Sequence, residues 1–399
     1  MTLLIDPPQS PGHGRLWAHL SSDASFSELH EFAAALGIPS RGFDRDHYDV
    51  PADRYESVVA AGATPVSSRD LIGRLHEAGL RRRQGERLMP RAAGARLARA
   101  PRLRPGDAVA VTSPSGPVPA AELDAGVAIL ESWGLGVRLM PQVRAQHEQL
   151  SYLAGDDAVR AGDLVRAWCD PSVRAVFCAR GGYGAQRILD LVDWEALTSA
   201  GPKVLVGFSD VTALHQAFAS RLGLSTIHGP VVTSLGTGTD AAREQLRSLL
   251  FERSALTPLT PSPAPALAPG RAEGPLAGGN LALLAAEVGT PDSRSGADSI
   301  AVLEDVDEDL YRLDRLLTQL LRSGWFERVR AIALGQFTGC GSPDSLRHLF
   351  TERLGHLGVP TLWDLRIGHM ADNLGFPLGV PALLDADAGT LTLLESALV

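Results

Sequence analysis

The sequence predicts an α/β protein: a lobe with a mostly parallel sheet and helices on both faces, a smaller mixed α/β C-terminal lobe, and a small N-terminal α/β domain. Three observations carry this. Short apolar runs that read as buried strands alternate with helical segments from residue 107 to about 228, the order that builds a parallel sheet. A stretch rich in proline and small residues then interrupts the pattern, and shorter strands with several glycine turns follow it. In front, residues 1–85 have their own short strand and amphipathic helix, cut off by a segment rich in arginine, alanine and glycine. The expected units are residues 1–85, a linker over 86–104, lobes over 105–250 and 270–399, and a loop or crossover over 251–269.

The elements follow in order. LLID at residues 3–6 is a strand candidate. SFSELHEFAAAL at 25–36 aligns Phe26, Leu29, Phe32, Ala33 and Leu36 on one helical face, with Ser25 as cap, Glu28 at the capping-box spacing and Gly37 as terminator. A polar run, FDRDHYDVPADRY, precedes a second amphipathic segment over 70–78. In the next unit the strands are expected near 107–112, 137–140, 173–178, 204–206 and 226–227. Turns bearing glycine or serine leave three of them, at 113–116, 181–184 and 207–210. Ligands of such sheets sit beyond the carboxyl ends of the strands, so these turns are the place to look for a site.

The stretch VLVGFSDVTAL at 204–214 is the most informative. Branched apolar residues lead into Gly207, and Ser209 stands at the junction with a following helix. A serine there either caps the helix through its oxygen or presents its hydroxyl beside free backbone N–H groups, as a nucleophile requires. In the second lobe Glu304 follows an apolar strand and His369 lies in a turn. Taken singly, an acidic residue after a strand reads as a solvated end and a histidine beside glycine as a surface group. Together with Ser209 they form the minimal set for acyl transfer, in which imidazole takes the hydroxyl proton and a carboxylate fixes the imidazole tautomer.

Composition narrows the field. The formal net charge of −9 over 399 residues argues against bulk nucleic-acid binding. All but one of the basic residues are arginine, Lys203 being the exception, so lysine-dependent chemistry is hard to place. Cys169, Cys178 and Cys340 lack the spacing of a metal knuckle and are read as reduced. The N-terminus lacks the pattern of a secretory signal and no apolar run is long enough to span a bilayer, so a cytoplasmic protein without membrane attachment is expected.

Six segments carry a resemblance over residues 104–399: VAVTSPSGPV, CARGGYGAQRILDLVDW, VLVGFSDVTALH, GPLAGGNLALL, VLEDVDEDLYRLDRLLTQL and IGHMADNLGFPLG. In this order the chain resembles the LD-carboxypeptidase family of serine peptidases, which includes muramoyl-tetrapeptide carboxypeptidases and microcin-immunity amidases. The resemblance implies Ser209 as nucleophile, Glu304 and His369 as its partners, and an oxyanion hole of backbone N–H groups from Asp210 and Gly182, with Gly181 as the alternate. It further implies a cytoplasmic murein peptide ending in D-alanine as substrate, no cofactor, no metal in the peptidase site, and a homodimer. Arg180 is a candidate for the substrate carboxylate or for pinning the lobes together; Tyr183 walls the pocket or packs; Asn280 contacts substrate or stabilises its loop. The alternatives are an immunity-type amidase acting on a peptidyl-nucleotide, for which no aromatic shelf is evident in the sequence, and a non-catalytic binding module.

Residues 3–83 resemble a small bacterial domain of uncharacterised function. Its polar residues His19, Asp23, His30, Asp44, Asp46, His47 and Asp49 offer donors for a metal or phosphoryl-hydrolysing site, or else cap turns and bond to one another around a small core. Trp17 and Tyr48 beside them line such a site or complete that core.

Overall fold

The computed structural model describes residues 3–12, 14–39, 42–44, 46–78, 96–253, 258–260 and 264–399. The chain divides into two compact units, residues 1–89 and 90–399. The arginine-rich run at 81–83 and the rest of the segment to residue 95 lie outside the described residues.

Among its described residues the first unit has six strands: β1 (Leu3–Ile5), β2 (Ser10–Gly12), β3 (Arg15–Ser22), β4 (Phe43–Asp44), β5 (His47–Pro51) and β6 (Thr64–Pro65). They pair in the order β4-β5-β3-β1-β6, with β2 on β3. Alternation along β3 and β5 sends Ala18, Leu20, Tyr48 and Val50 into a core shared with Leu29 and Ala33 of the helix Phe26–Ala35. Ser25 caps that helix by accepting from the Glu28 N–H. The capping box is not closed, because the Glu28 carboxylate instead accepts from the Ser22 hydroxyl.

The described residues of the second unit form two sheets. Its first five strands are β7 (Ala108–Thr112), β8 (Gly136–Leu139), β9 (Val173–Cys178), β10 (Val204–Gly207) and β11 (Ile227–His228). The remaining eight are β12 (Ala266–Ala268), β13 (Arg271–Asn280), β14 (Ile300–Val306), β15 (Ala331–Thr338), β16 (Thr361–Leu362), β17 (Phe376–Pro377), β18 (Pro381–Asp385) and β19 (Thr390–Leu393). One sheet runs β8-β7-β9-β10-β11, all parallel as the alternation predicts. Its last neighbour is β17, an antiparallel strand supplied by the C-terminal part of the chain. The strand order reverses between β7 and β9, and the turns after β7, β9 and β10 emerge at that end. β10 is buried at every residue, as a central strand covered on both faces must be.

The other sheet runs β12-β16-β15-β14-β13-β18-β19, with β13 to β16 parallel and the edges antiparallel. The segment expected to be only a loop supplies the edge strand β12. Residues 96–104 are tied to the second unit by Ala98 bridging Leu224, Leu103 N–H donating to Leu250, and Arg102 pairing with the C-terminal residue. Among the described residues no helix is long and apolar enough to cross a membrane.

The helix Leu310–Arg322 covers the second sheet through Leu313, Leu317 and Leu320. Truncating a fully buried leucine removes transfer free energy and leaves a cavity. Leu317→Ala is therefore expected to cost about 2–5 kcal/mol, and Tyr311→Ala on the exposed face less than about 0.5 kcal/mol. Urea unfolding of both variants checks this.

Candidate active site

The junction after β10 fixes Ser209. Phe208 is extended, and Ser209 then takes φ +64°, left-handed for a residue with a side chain. Such a conformation costs of order 1–3 kcal/mol and persists only where the surroundings hold it. A short turn, Ser209–Val211, leads into the helix Thr212–Ala217. The serine caps neither. Its hydroxyl turns instead to His369, with Oγ and Nε2 3.0 Å apart.

His369 is held from the other side. Its Nδ1 lies 2.7 Å from Glu304 Oε2. An ionised carboxylate can only accept, so Nδ1 carries the proton and Nε2 is left to accept from the serine hydroxyl. Phe208 packs on the ring at a centroid distance of 4.8 Å, and Thr338 donates to the His369 carbonyl. Gly368 allows the approach: a Cβ there, at φ +122°, would come within 3.0 Å of Glu304 Cβ and Oε2.

Glu304 lies within β14 and is fully buried, so the reading of a solvated strand end does not hold for it or for Asp305. Burial would push the Glu304 carboxyl up, but His228 and His369 more than offset this and hold it at about 2. His228 is itself fully buried, stacked on Phe376 at 4.6 Å, with Nε2 3.8 Å from Glu304 Oε1. That is an electrostatic contact, too long for a direct hydrogen bond. The neighbouring Asp305 points to the opposite side of the strand. Burial first, and the Glu304 charge second, push it up to about 6. His369 loses by burial but gains more from Glu304, so its pKa lies above the ordinary histidine value.

The turns after β7 and β9 close around this centre. A Cβ on Gly181 would lie 2.9 Å from Ser209 Cβ, so only glycine lets the turn come so near. Gly181 accepts from Gly116, joining the two turns. The Asp210 carboxylate is buried, which raises its pKa, and it accepts from the Ala185 N–H at 2.8 Å, pinning the start of the short helix Ala185–Ile188. Arg160 donates to the carbonyls of Gly184, Gly155 and Pro114, tying three loops together.

The other sequence candidates divide. Arg180 donates to Pro117 in its own lobe at 2.7 Å, so it does not pin the lobes together, and its guanidinium is exposed. Tyr183 is 47 % exposed and meets Tyr152 edge-on at 5.8 Å beside the Gly181–Gly182 turn. Asn280 is buried, and its polar atoms are bonded within the structure. Its Nδ2 donates to Asp305, its Oδ1 caps the helix Leu281–Ala286, and its N–H donates to Thr212 of the first lobe. His228, Asp305, Arg160 and Tyr152 were missed. Each lies in a run that reads as ordinary core, helix or loop, and only the folded neighbours give it a role.

In the first unit His19, His47 and Asp49 come together, with Asp46 on His47 Nδ1 at 2.7 Å. His30 stands apart, bonded to the Tyr48 hydroxyl at 2.8 Å, and Asp23 faces Arg74 at 3.5 Å. Tyr48 itself lies in the core, while Arg15 stacks over Trp17. The Asp44 side chain lies outside the described residues.

The Glu304–His369 pair has a signed pH signature. With its pKa raised, His369 contributes stability that is complete below the ordinary value of 6.5 and is lost as pH rises through the folded value. Glu304 is depressed, so its contribution is present above the ordinary 4.5 and lost only as pH falls through about 2. Glu304→Gln is expected to lower the His369 titration from its wild-type position, because the bond and charge of Glu304 are the leading influences that oppose burial, with Asp305 and Asp307 adding less. The stability gap to wild type is expected to be wider at about pH 5.5 than at about pH 9. An NMR titration of the histidine ring and urea unfolding at the two pH values read this out.

Comparison with known proteins gives this geometry a family. The model of the LD-carboxypeptidase N-terminal domain matches residues 109–229, that of the C-terminal domain matches 273–384, and that of a protein of unknown function (DUF4031) matches 3–78. A Streptomyces coelicolor protein (SCO6489) with a provisional carboxypeptidase name is 54 % identical over 76 % of this chain and 98 % of its own length. The murein tetrapeptide carboxypeptidase of Pseudomonas aeruginosa is 40 % identical over 70 % of this chain and 93 % of its own. Among solved structures, muramoyltetrapeptide carboxypeptidase from Oxalobacter formigenes matches with TM-score 0.63 and 29 % identity, covering 72 % of this chain and 97 % of that one. The microcin C7 self-immunity protein MccF, solved with aspartyl sulfamoyl adenosine, matches in fold with TM-score 0.69 and 23 % identity over 76 % of this chain and all of its own. With these matches lying on the lobes that carry Ser209, Glu304 and His369, the chain belongs to the LD-carboxypeptidase family of carboxypeptidases and amidases, fused to an N-terminal DUF4031 domain.

Proposed function

We propose that the chain is a serine hydrolase that cleaves an amide bond by acyl transfer through Ser209. One observation carries this: the hydroxyl, the imidazole and a buried carboxylate lie in hydrogen-bonded sequence, at 3.0 and 2.7 Å. The Ser209 oxygen attacks the amide carbonyl carbon and its proton passes to His369 Nε2. Glu304 stabilises the imidazolium that results. The carbonyl oxygen takes up negative charge in front of the N–H groups of Asp210 and Gly182, where loss of one donor costs roughly 3 kcal/mol. His369 then protonates the leaving nitrogen, and water releases the acyl group by the same steps in reverse.

For the substrate, the first reading is a murein tetrapeptide that loses its terminal D-alanine in the cytoplasm. The murein carboxypeptidase relative supports it, as does Arg180, whose exposed fork at the turn touching Ser209 suits a free carboxylate. The second reading, an immunity-type amidase acting on an aminoacyl or peptidyl nucleotide, has the wider support among solved structures. The Tyr152–Tyr183 pair supplies the aromatic surface that this reading needs and the sequence did not reveal.

Mass spectrometry of products from murein tetrapeptide, its pentapeptide and a peptidyl-adenylate separates the readings. Release of alanine from the tetrapeptide alone supports the first, and cleavage of the adenylate alone the second. Ser209→Ala is expected to abolish either activity without loss of fold; full activity in that variant removes the serine mechanism. Because His369 must be neutral to act as base and its pKa is raised, kcat/KM is expected to climb with pH through a midpoint above 6.5.

A further inference from the structure

The first unit carries a second cluster of reactive side chains, built on one face of its sheet. β3 and β5 run antiparallel with His19 directly opposite Asp49. His47, two residues from Asp49, projects to the same side. The opposite face, with Ala18, Leu20, Tyr48 and Val50, is the core, so the pleat itself gathers the polar three. One donor atom from each of His19, His47 and Asp49 lies within 4.8 Å of the others.

Each ring is aimed by a buried carboxylate. Asp6 lies 2.9 Å from His19 Nδ1, and it also accepts from the His19 N–H and from the Ser68 hydroxyl, both at 2.6 Å. Asp46 lies 2.7 Å from His47 Nδ1, and its backbone carbonyl accepts from Ser21. The two rings meet edge-on at 4.7 Å, and His47 Nε2 is 3.4 Å from Asp49 Oδ1. A carboxylate that receives Nδ1–H sets the tautomer in which Nε2 has the lone pair, the arrangement that second-sphere groups impose on metal-binding histidines. Aiming two imidazoles in this way beside a third carboxylate assembles borderline nitrogen and hard oxygen donors around one point.

We propose that His19, His47 and Asp49 bind one divalent transition-metal ion of the zinc class, with Asp6 and Asp46 orienting the rings. Bonds of about 2.0–2.1 Å require the donors to close inward from their present spacing. Asp49, 47 % exposed, is the one with room to swing. Three ligands among the described residues leave a fourth position for water or a substrate oxygen, the pattern of a reactive rather than a sealed structural site.

The test uses the full chain, stripped with a chelator and titrated with Zn2+ against a chromogenic competitor, and with Co2+ followed by visible absorption. Expected are one equivalent of Zn2+ and a Co2+ spectrum with nitrogen-ligand character. His19→Ala and His47→Ala each should weaken binding by about 100-fold or more, and Asp46→Asn, which keeps every donor but frees a ring, by about 10- to 100-fold. Asp49→Asn, on the exposed ligand, reports on the site without burdening the core, and should also weaken binding. His369→Ala should keep the equivalent. Absence of a bound equivalent in the wild-type chain overturns the proposal, as does an equivalent that survives in both histidine variants or is lost in His369→Ala.

Discussion

A charge buried in the second sheet governs the centre of this protein. Glu304 is wholly removed from water, and an unpaired carboxylate in that position would cost several kcal/mol. Its environment is arranged to meet that demand, with His369 bonded to one oxygen and His228 facing the other. The same demand explains neighbours that otherwise look incidental. Gly368 has no side chain because the carboxylate occupies that space. Phe376 of β17 stacks on His228 and carries a C-terminal strand into the first sheet.

The two sheets are thus joined by chemistry as well as by packing. Thr212, one turn after Ser209, accepts from the Asn280 N–H, and Asn280 in turn binds Asp305 beside Glu304. A hydrogen-bonded chain thus links the helix that follows the nucleophile to the strand that carries the carboxylate. Adjacent acids on one strand are kept in different states by facing opposite sides: Glu304 low, paired with imidazoles, and Asp305 raised, holding a turn. The left-handed Ser209 is sustained by this surround, with Gly181 pressed against it from the neighbouring turn.

The N-terminal unit follows the same logic on a smaller scale. Its apolar face makes a core and its polar face collects carboxylate–histidine pairs. Asp6 is buried, yet its pKa is lowered, because His19 and Ser68 outweigh the cost of burial.

Local pattern determined a good deal from the sequence alone. The alternation of apolar runs gave the parallel strands β7 to β11, since period and turn residues are properties of neighbours in the chain. The strand-to-helix junction marked Ser209, and motif order matched Glu304 and His369 to it. Edge strands were among those that escaped this reading. β12 lies in a proline-rich run and β17 is only two residues long, and each is a strand because a partner strand offers its hydrogen bonds. Only the tertiary structure decided which polar residues work together. Spacing of 65 residues between Glu304 and His369, or 160 between Ser209 and His369, leaves no periodicity to read. Asn280 and His228 show the same limit: the sequence left Asn280 between a substrate contact and a support for its loop, and singled out nothing at His228, which faces the buried carboxylate. Burial and pairing arise from chain segments meeting in space, and the local sequence has no record of that meeting.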